Sequence, residues 1–171
     1  MRPALRVVDP GAEAAGEWVW FCGHCAARPP QAGAPAPSAR VCGECRLGLL
    51  LETHDLAVPG VGDAFLVVDR RMTVQAVSVA AEELFGIDET SAVDRPVNQL
   101  LVGARAEAAE SSGLASAIGA ALAGAASNTT FVRPWNTFGV RMRADVSACG
   151  PPRAALIVLE GGSRGIRAVD G

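Results

Sequence analysis

Between residues 63 and 160 apolar residues fall into short blocks with strand or helix spacing. Phe65-Leu66-Val67-Val68 is an unbroken apolar run, Asp69-Arg70-Arg71-Met72 is a polar turn, and residues 73–79 alternate. Such blocks mark two strands joined by a turn. Ser78 then precedes a short helical pattern, 80–85, as its N-cap, and Gly86 can end that helix in the left-handed conformation. Residues 88–101 read as short helical pieces broken at Pro96. Leu114, Ile118 and Leu122 recur at i, i+4 and i+8 and so share one helix face. Their neighbours are mostly Ala, Ser and Gly, which lets a backbone approach a sheet closely. Three strands follow: 129–133, 140–147 and 154–159. In the middle one Val140, Met142, Ala144 and Val146 face one way, and Arg141, Arg143, Asp145 and Ser147 the other, as in a sheet with one wet face. Two strands, short helices, a longer helix and three strands predict an α+β fold, a five-stranded antiparallel sheet with helices on one face.

Before residue 63 the pattern changes. Trp18-Val19-Trp20-Phe21 forms a short aromatic strand, and Leu47 with 49–51 a second apolar segment. The loop between them, 26–40, has polyproline character through Pro29, Pro30, Pro35 and Pro37. Pro59, Gly60 and Gly62 give 54–62 the chemistry of a linker. The chain therefore divides into an N-terminal region, 1–53, with its core at 18–51, the linker 54–62, the sheet-and-helix domain 63–160, and a flexible tail 161–171.

Four cysteines give the N-terminal region its chemistry. Cys22-Gly-His-Cys25 and Cys42-Gly-Glu-Cys45 are two C-x2-C pairs with sixteen residues between them. Each pair can curl into a knuckle presenting two thiolates, and two facing knuckles complete tetrahedral zinc. A shell of four thiolates leaves no open position, so the expected Zn²⁺ is structural. It carries a local charge of −2, which N–H groups at Gly23 and Gly43 and the guanidinium groups of Arg40 and Arg46 are placed to offset. Such a site contributes roughly 10–16 kcal/mol of apparent binding energy, more than so short a region gains from apolar burial. Cys42→Ser is expected to unfold this ribbon and leave residues 63–160 folded. His24 is expected to face solvent, His54 to be solvated, and Cys149 to be a buried small residue in a Cys-Gly-Pro-Pro turn. A rival reading takes Phe21-Cys-Gly-His-Cys25 as similar to the W-C-G-H-C site of protein disulfide isomerases. That chemistry needs a helix after the first cysteine, and Ala26-Ala-Arg-Pro-Pro30 cannot carry a long one.

Composition narrows the classes. The 171 residues suit one or two domains. All fifteen basic residues are arginine, and the net charge of −3 argues against a general polyanion binder. Arg2 and Arg6 are followed by no apolar stretch of secretory type, which predicts a cytoplasmic protein whose thiols stay reduced. The uncharged stretch 111–132 is interrupted by Gly113, Gly119, Gly124, Asn128 and Thr129, so no membrane span is expected. No Ser/His/Asp constellation or phosphate loop points to an enzyme.

The element order, with these residues, resembles the PAS domain. Asp63-Ala-Phe-Leu-Val-Val-Asp69 is similar to that family's first strand and turn. Ala80-Ala-Glu-Glu-Leu-Phe-Gly86 is similar to the A-A-E-x-L-F-G that opens its helical segment, with Ser78 where many members carry asparagine. The resemblance spans roughly 63–160; with the zinc ribbon it extends to a group of small actinobacterial PAS proteins. It implies a non-enzymatic sensory or dimerisation module with a cavity between sheet and helices. Phe65, Val67, Val77, Leu114, Ile118, Leu122, Met142 and Leu156 are the candidate cavity lining, for a small apolar ligand. Haem is not expected, since His24 and His54 both lie before residue 63. Photoactive flavin is not expected either, since Val97-Asn-Gln-Leu-Leu-Val102 stands where those members carry a cysteine motif of the N-C-R-F-L-Q type. The expected role is signal transduction or transcription regulation through a protein partner in trans, as a homodimer through the PAS-like part. The alternative is a nucleic-acid or transcription-machinery adaptor using Arg28, Arg40 and Arg46 of the ribbon; a CGHC thiol–disulfide oxidoreductase is the remaining one. The turn from Arg133 to Gly139 is read as a hairpin loop, or else as an interaction surface presenting Trp135.

Overall fold

The computed structural model describes residues 17–30, 33–104, 111–125, 127–137 and 139–160. The tail assigned to 161–171 lies outside the described residues. Among the described residues eight strands and three α-helices follow one another: β1 (Trp18–Cys22), β2 (Leu50–His54), β3 (Ala64–Val68), β4 (Val74–Val77), α1 (Val79–Phe85), α2 (Glu89–Ala92), β5 (Leu101–Gly103), α3 (Ser111–Leu122), β6 (Asn128–Pro134), β7 (Met142–Gly150) and β8 (Ala154–Glu160).

Local signals account for most of these. The Ser78 side chain accepts from Ala81 N at the start of α1, and Gly86 ends that helix at φ +63°. The same Ser78 hydroxyl also accepts from Phe65 N and donates to Asp63 O, so it ties α1 to β3. Asp88 caps α2 by accepting from Ser91 N, and its hydrogen bond from Thr90 lowers its carboxyl pKa.

All pairings are antiparallel, in the order β4–β3–β8–β7. The far edge of β7 is then divided: Met142 to Val146 pair with β6, and Cys149 and Gly150 pair with Thr53 and Glu52 of β2. β6 goes on to β5, and β2 to β1. The α+β class holds, but the sheet has eight strands, not five. The cysteine-bearing hairpin and β5 extend it, because β7 runs to Gly150 and leaves an edge free beyond β6.

The sheet has an apolar layer on each face. On one, Leu66, Val68, Val77, Val132, Ala144, Val146 and Ile157 pack with Leu114, Ala117 and Ile118 of α3. On the other, Phe65, Val67, Cys149, Ala154 and Leu156 pack with Phe21, Ala26 and Leu51 of the hairpin region. Phe21 and Phe65 meet edge to face at 6.1 Å between centroids. The expected wet face of β7 is therefore dry at its C-terminal half, where Ser147 and Cys149 are buried. The expected linker 54–62 is ordered. His54 ends β2, Asp55–Ala57 form a 3-10 turn, Val58 packs on the second layer, and Asp63 accepts from Gly60 N. Leu47 and Leu49, expected in the second apolar segment, precede β2 and are exposed. No helix among the described residues is long and apolar enough to cross a membrane.

Candidate metal centre

The two cysteine pairs form the same turn twice. After Cys22, Ala26 N returns to Cys22 O at 3.1 Å with Ala26 at φ +61°; after Cys42, Arg46 N returns to Cys42 O at 3.0 Å with Arg46 at φ +58°. The turns face each other, and the four sulfur atoms lie within 4.8 Å of one another. Cys22 Sγ is 3.6 Å from Cys45 Sγ, and Cys25 Sγ is 3.8 Å from Cys42 Sγ. A tetrahedron of sulfurs about 2.3 Å from a zinc ion has edges of about 3.8 Å, which the Cys22–Cys45 and Cys25–Cys42 separations match. All five cysteines are free thiols.

The sulfurs receive backbone donors. His24 N and Cys25 N approach Cys22 Sγ at 3.4 and 3.5 Å, and Gly48 N approaches Cys45 Sγ at 3.4 Å. Gly23, an expected donor, instead bonds Leu49 O. Burial raises the Cys22 and Cys25 thiols, against the opposing pull of nearby N–H groups. Burial pushes Cys45 up too, but the N–H groups of Gly48 and Leu47 and the neighbouring thiols outweigh it and bring its pKa to about 6. Cys22 stands at the end of a strand with no helix after it, which opposes the disulfide-isomerase reading, since that needs a thiolate stabilised at a helix start.

Three residues of this region, His24, Gly48 and Arg40, take places that the sequence does not signal. His24 does not face solvent: it is buried, its Nδ1 lies 3.0 Å from Val77 O, its backbone O accepts from Val79 N, and Glu89 Oε2 stands 3.6 Å away. Gly48 carries no signal in the sequence pattern. A Cβ there would overlap Cys22 Sγ and come within 2.7 Å of His24 Cβ. Arg40 does not neutralise the thiolates as expected. Its guanidinium lies 5.6 Å from the Trp20 ring centroid and donates to Pro151 O at 3.1 Å, linking the ribbon to the β7–β8 turn.

The candidate cavity residues are not brought together. Val77, Leu114, Ile118 and Met142 meet in the α3-side layer, with Leu122 partly buried against it. Phe65, Val67 and Leu156 lie on the opposite face, under the hairpin. In the unbroken run 65–68 the sequence gives no phase, and Leu66 and Val68 are the residues that face α3. Open space lies elsewhere. A cleft of about 670 Å³ separates the first knuckle from the start of α1, with Phe65 among its lining residues. In the turn after β6, Arg133 donates to Trp135 O and Thr137 O, which holds the loop while leaving Trp135 exposed.

No protein-family model matches this chain, and no curated protein does. Among solved structures, the PAS domain of a protein from Colwellia psychrerythraea is similar at 20% identity over 58% of this chain and 86% of that one, with a TM-score of 0.42.

Proposed function

We propose that the chain is a non-catalytic sensory or regulatory module stapled by one structural zinc ion. Cys22, Cys25, Cys42 and Cys45 hold the ion, and it fixes the hairpin region on the sheet. The observation that carries this reading is the closed shell: four mutually facing thiols, held by two matching turns and three N–H donors, leave no position for a substrate. The ion's chemistry there is neutralisation and cross-linking, and the chain's own contribution is to hold four sulfurs at tetrahedral spacing. The sensory part of the proposal draws on the PAS-like order of residues 63–160. On it the module acts in the cytoplasm in signal transduction or transcription regulation, through a protein partner in trans and as a homodimer. The adaptor alternative is weakened because Arg40 is engaged with Trp20 and Pro151 rather than presented to a polyanion.

Native mass spectrometry on protein purified without added metal tests this. One zinc ion per chain, in a dimer, is the expected result. A metal-free chain lighter by two hydrogens per disulfide would overturn the structural-zinc reading and restore the redox one.

A further inference from the structure

The four-sulfur shell is closed at its centre, but its sulfurs are not equally covered. Cys22 and Cys42 are buried, whereas Cys25 and Cys45 are part-exposed. Cys25 also lines the cleft of about 670 Å³ beside the first knuckle, so a small solute reaches that side of the shell. Two sulfur–sulfur contacts cross between the turns: Cys22 Sγ with Cys45 Sγ at 3.6 Å, and Cys25 Sγ with Cys42 Sγ at 3.8 Å. Each contact joins a covered sulfur of one turn to an accessible sulfur of the other. The two pairs span 23 and 17 positions, so bonds along them would tie the turns together as an ion does. Bonds within Cys22–Cys25 and Cys42–Cys45 would leave the turns unlinked. Cys149, the fifth thiol, is buried with Phe21, Ala26 and Leu51 in the second apolar layer and belongs to no such pair.

We propose that the shell is a peroxide-responsive switch, in which the disulfides Cys22–Cys45 and Cys25–Cys42 take over the cross-link and release the zinc while the hairpin region stays on the sheet. The reaction occurs at sulfur, so it needs no open position on the ion. An accessible thiolate, Cys25 or Cys45, attacks one oxygen of hydrogen peroxide. The O–O bond breaks, one hydroxide leaves, and the sulfur becomes a sulfenic acid. The covered thiolate of the same pair, Cys42 or Cys22, then attacks that sulfur; the S–S bond forms, the S–O bond breaks and a second hydroxide leaves. Each pair gives up two electrons and reduces one peroxide to two hydroxides. Two peroxides convert four thiolates into two disulfides, which no longer hold Zn²⁺. The inference adds regulation to the site proposed above and rests on that reading. It differs from disulfide-isomerase chemistry, because the oxidant is consumed and no substrate disulfide enters.

The test uses the full chain, purified in reducing buffer and then freed of reductant. Zinc is counted by native mass spectrometry before hydrogen peroxide is added stepwise, and released zinc is read with a chromogenic chelator. The chain is then unfolded, its remaining thiols are alkylated, and it is digested without reduction. Trypsin cuts after Arg40 and Arg46, which puts Cys22 and Cys25 on one peptide and Cys42 and Cys45 on another. The expected result is loss of the zinc over two equivalents of peroxide, with these two peptides joined and lighter by four hydrogens. Fragmentation should place the bonds at Cys22–Cys45 and Cys25–Cys42, and Cys149 should be alkylated. The intact oxidised chain should bind no more hydrophobic dye than the zinc-loaded one, since the hairpin region still covers Phe65 and Leu156. Peptides that separate with a bond inside each, sulfinic acids in place of disulfides, zinc retained in excess peroxide, or new dye binding would each overturn the inference. A chain without zinc before peroxide is added would overturn the metal reading and this inference with it; a zinc-loaded chain that fails at any later step overturns this inference alone.

Discussion

At Gly48 the limiting quantity is the space of one methyl group. Any side chain there meets Cys22 Sγ and His24 Cβ together, and neither can retreat without moving the first knuckle. Gly48→Ala should cost about 1–3 kcal/mol and weaken metal binding at least tenfold in chelator competition. Gly43→Ala, with open space around it, is the control and should change neither. Cys149 poses a different residue-scale problem. Burial raises its thiol from 9.0 to about 12. A raised folded pKa means that the stabilising contribution is complete below pH 9 and is lost as pH climbs towards 12, because the unfolded thiol ionises first. Urea unfolding at about pH 8 and about pH 10 should show stability falling with alkalinity, and Cys149→Ala should flatten that part of the slope. What can be read locally at this scale was legible. As helix caps Ser78 and Gly86 act on neighbours within four residues, and the four cysteines announce themselves by spacing, whereas the ties of Ser78 to Phe65 and Asp63 are not local. Gly48 and His24 were not legible, because what constrains them comes from residues 22, 24, 77 and 89 across the fold.

Among the elements, β3 carries the clearest lesson. Its five residues are all buried, so alternation along it separates two apolar layers rather than core from solvent. The strand is legible in the sequence but its phase is not: Phe65 and Val67, expected in the cavity lining, lie in the layer under the hairpin region. The two layers can be told apart by experiment. Phe65→Ala removes the ring that meets Phe21, and Leu66→Ala removes a side chain from beneath α3. Each should cost about 2–5 kcal/mol in urea unfolding. Only Phe65→Ala should also lower metal affinity, since only that side chain supports the hairpin region. Equal effects on chelator competition would mean that the layers are not mechanically distinct. The start of β7 makes the complementary point. Alternation from Val140 was correct for Met142, Ala144 and Val146, but it could not reveal that Ser147 and Cys149 lie under a distant hairpin.

For the whole molecule, the consequence is cooperativity. Pro59, Gly60 and Gly62 suggested two independent units, yet one sheet runs through both, and the second apolar layer is built from each. The pairing responsible joins only Glu52 and Thr53 to Gly150 and Cys149, with Thr53 Oγ1 donating to Ala148 O at 2.7 Å. Nothing periodic in the sequence signals so short a contact between such distant segments. Cys42→Ser is accordingly expected to do more than release the ribbon. With the hairpin loosened, Phe65, Val67 and Leu156 lose their cover, so the variant should bind a hydrophobic dye and melt in one transition at a lower temperature. A second transition at the wild-type temperature would show that residues 63–160 stand alone.

The shared edge of β7 also sets a timetable. Thr53 and its partner Cys149 are 96 positions apart, so on the ribosome the hairpin exists long before the strand that it will join. At about 5–20 residues per second that interval is roughly 5–20 s. All four thiols are synthesised by residue 45, early enough to capture an ion during the wait if the structural-zinc proposal holds. On that proposal β7 meets an edge already cross-linked and held in register, instead of a loose segment that must order at the same moment.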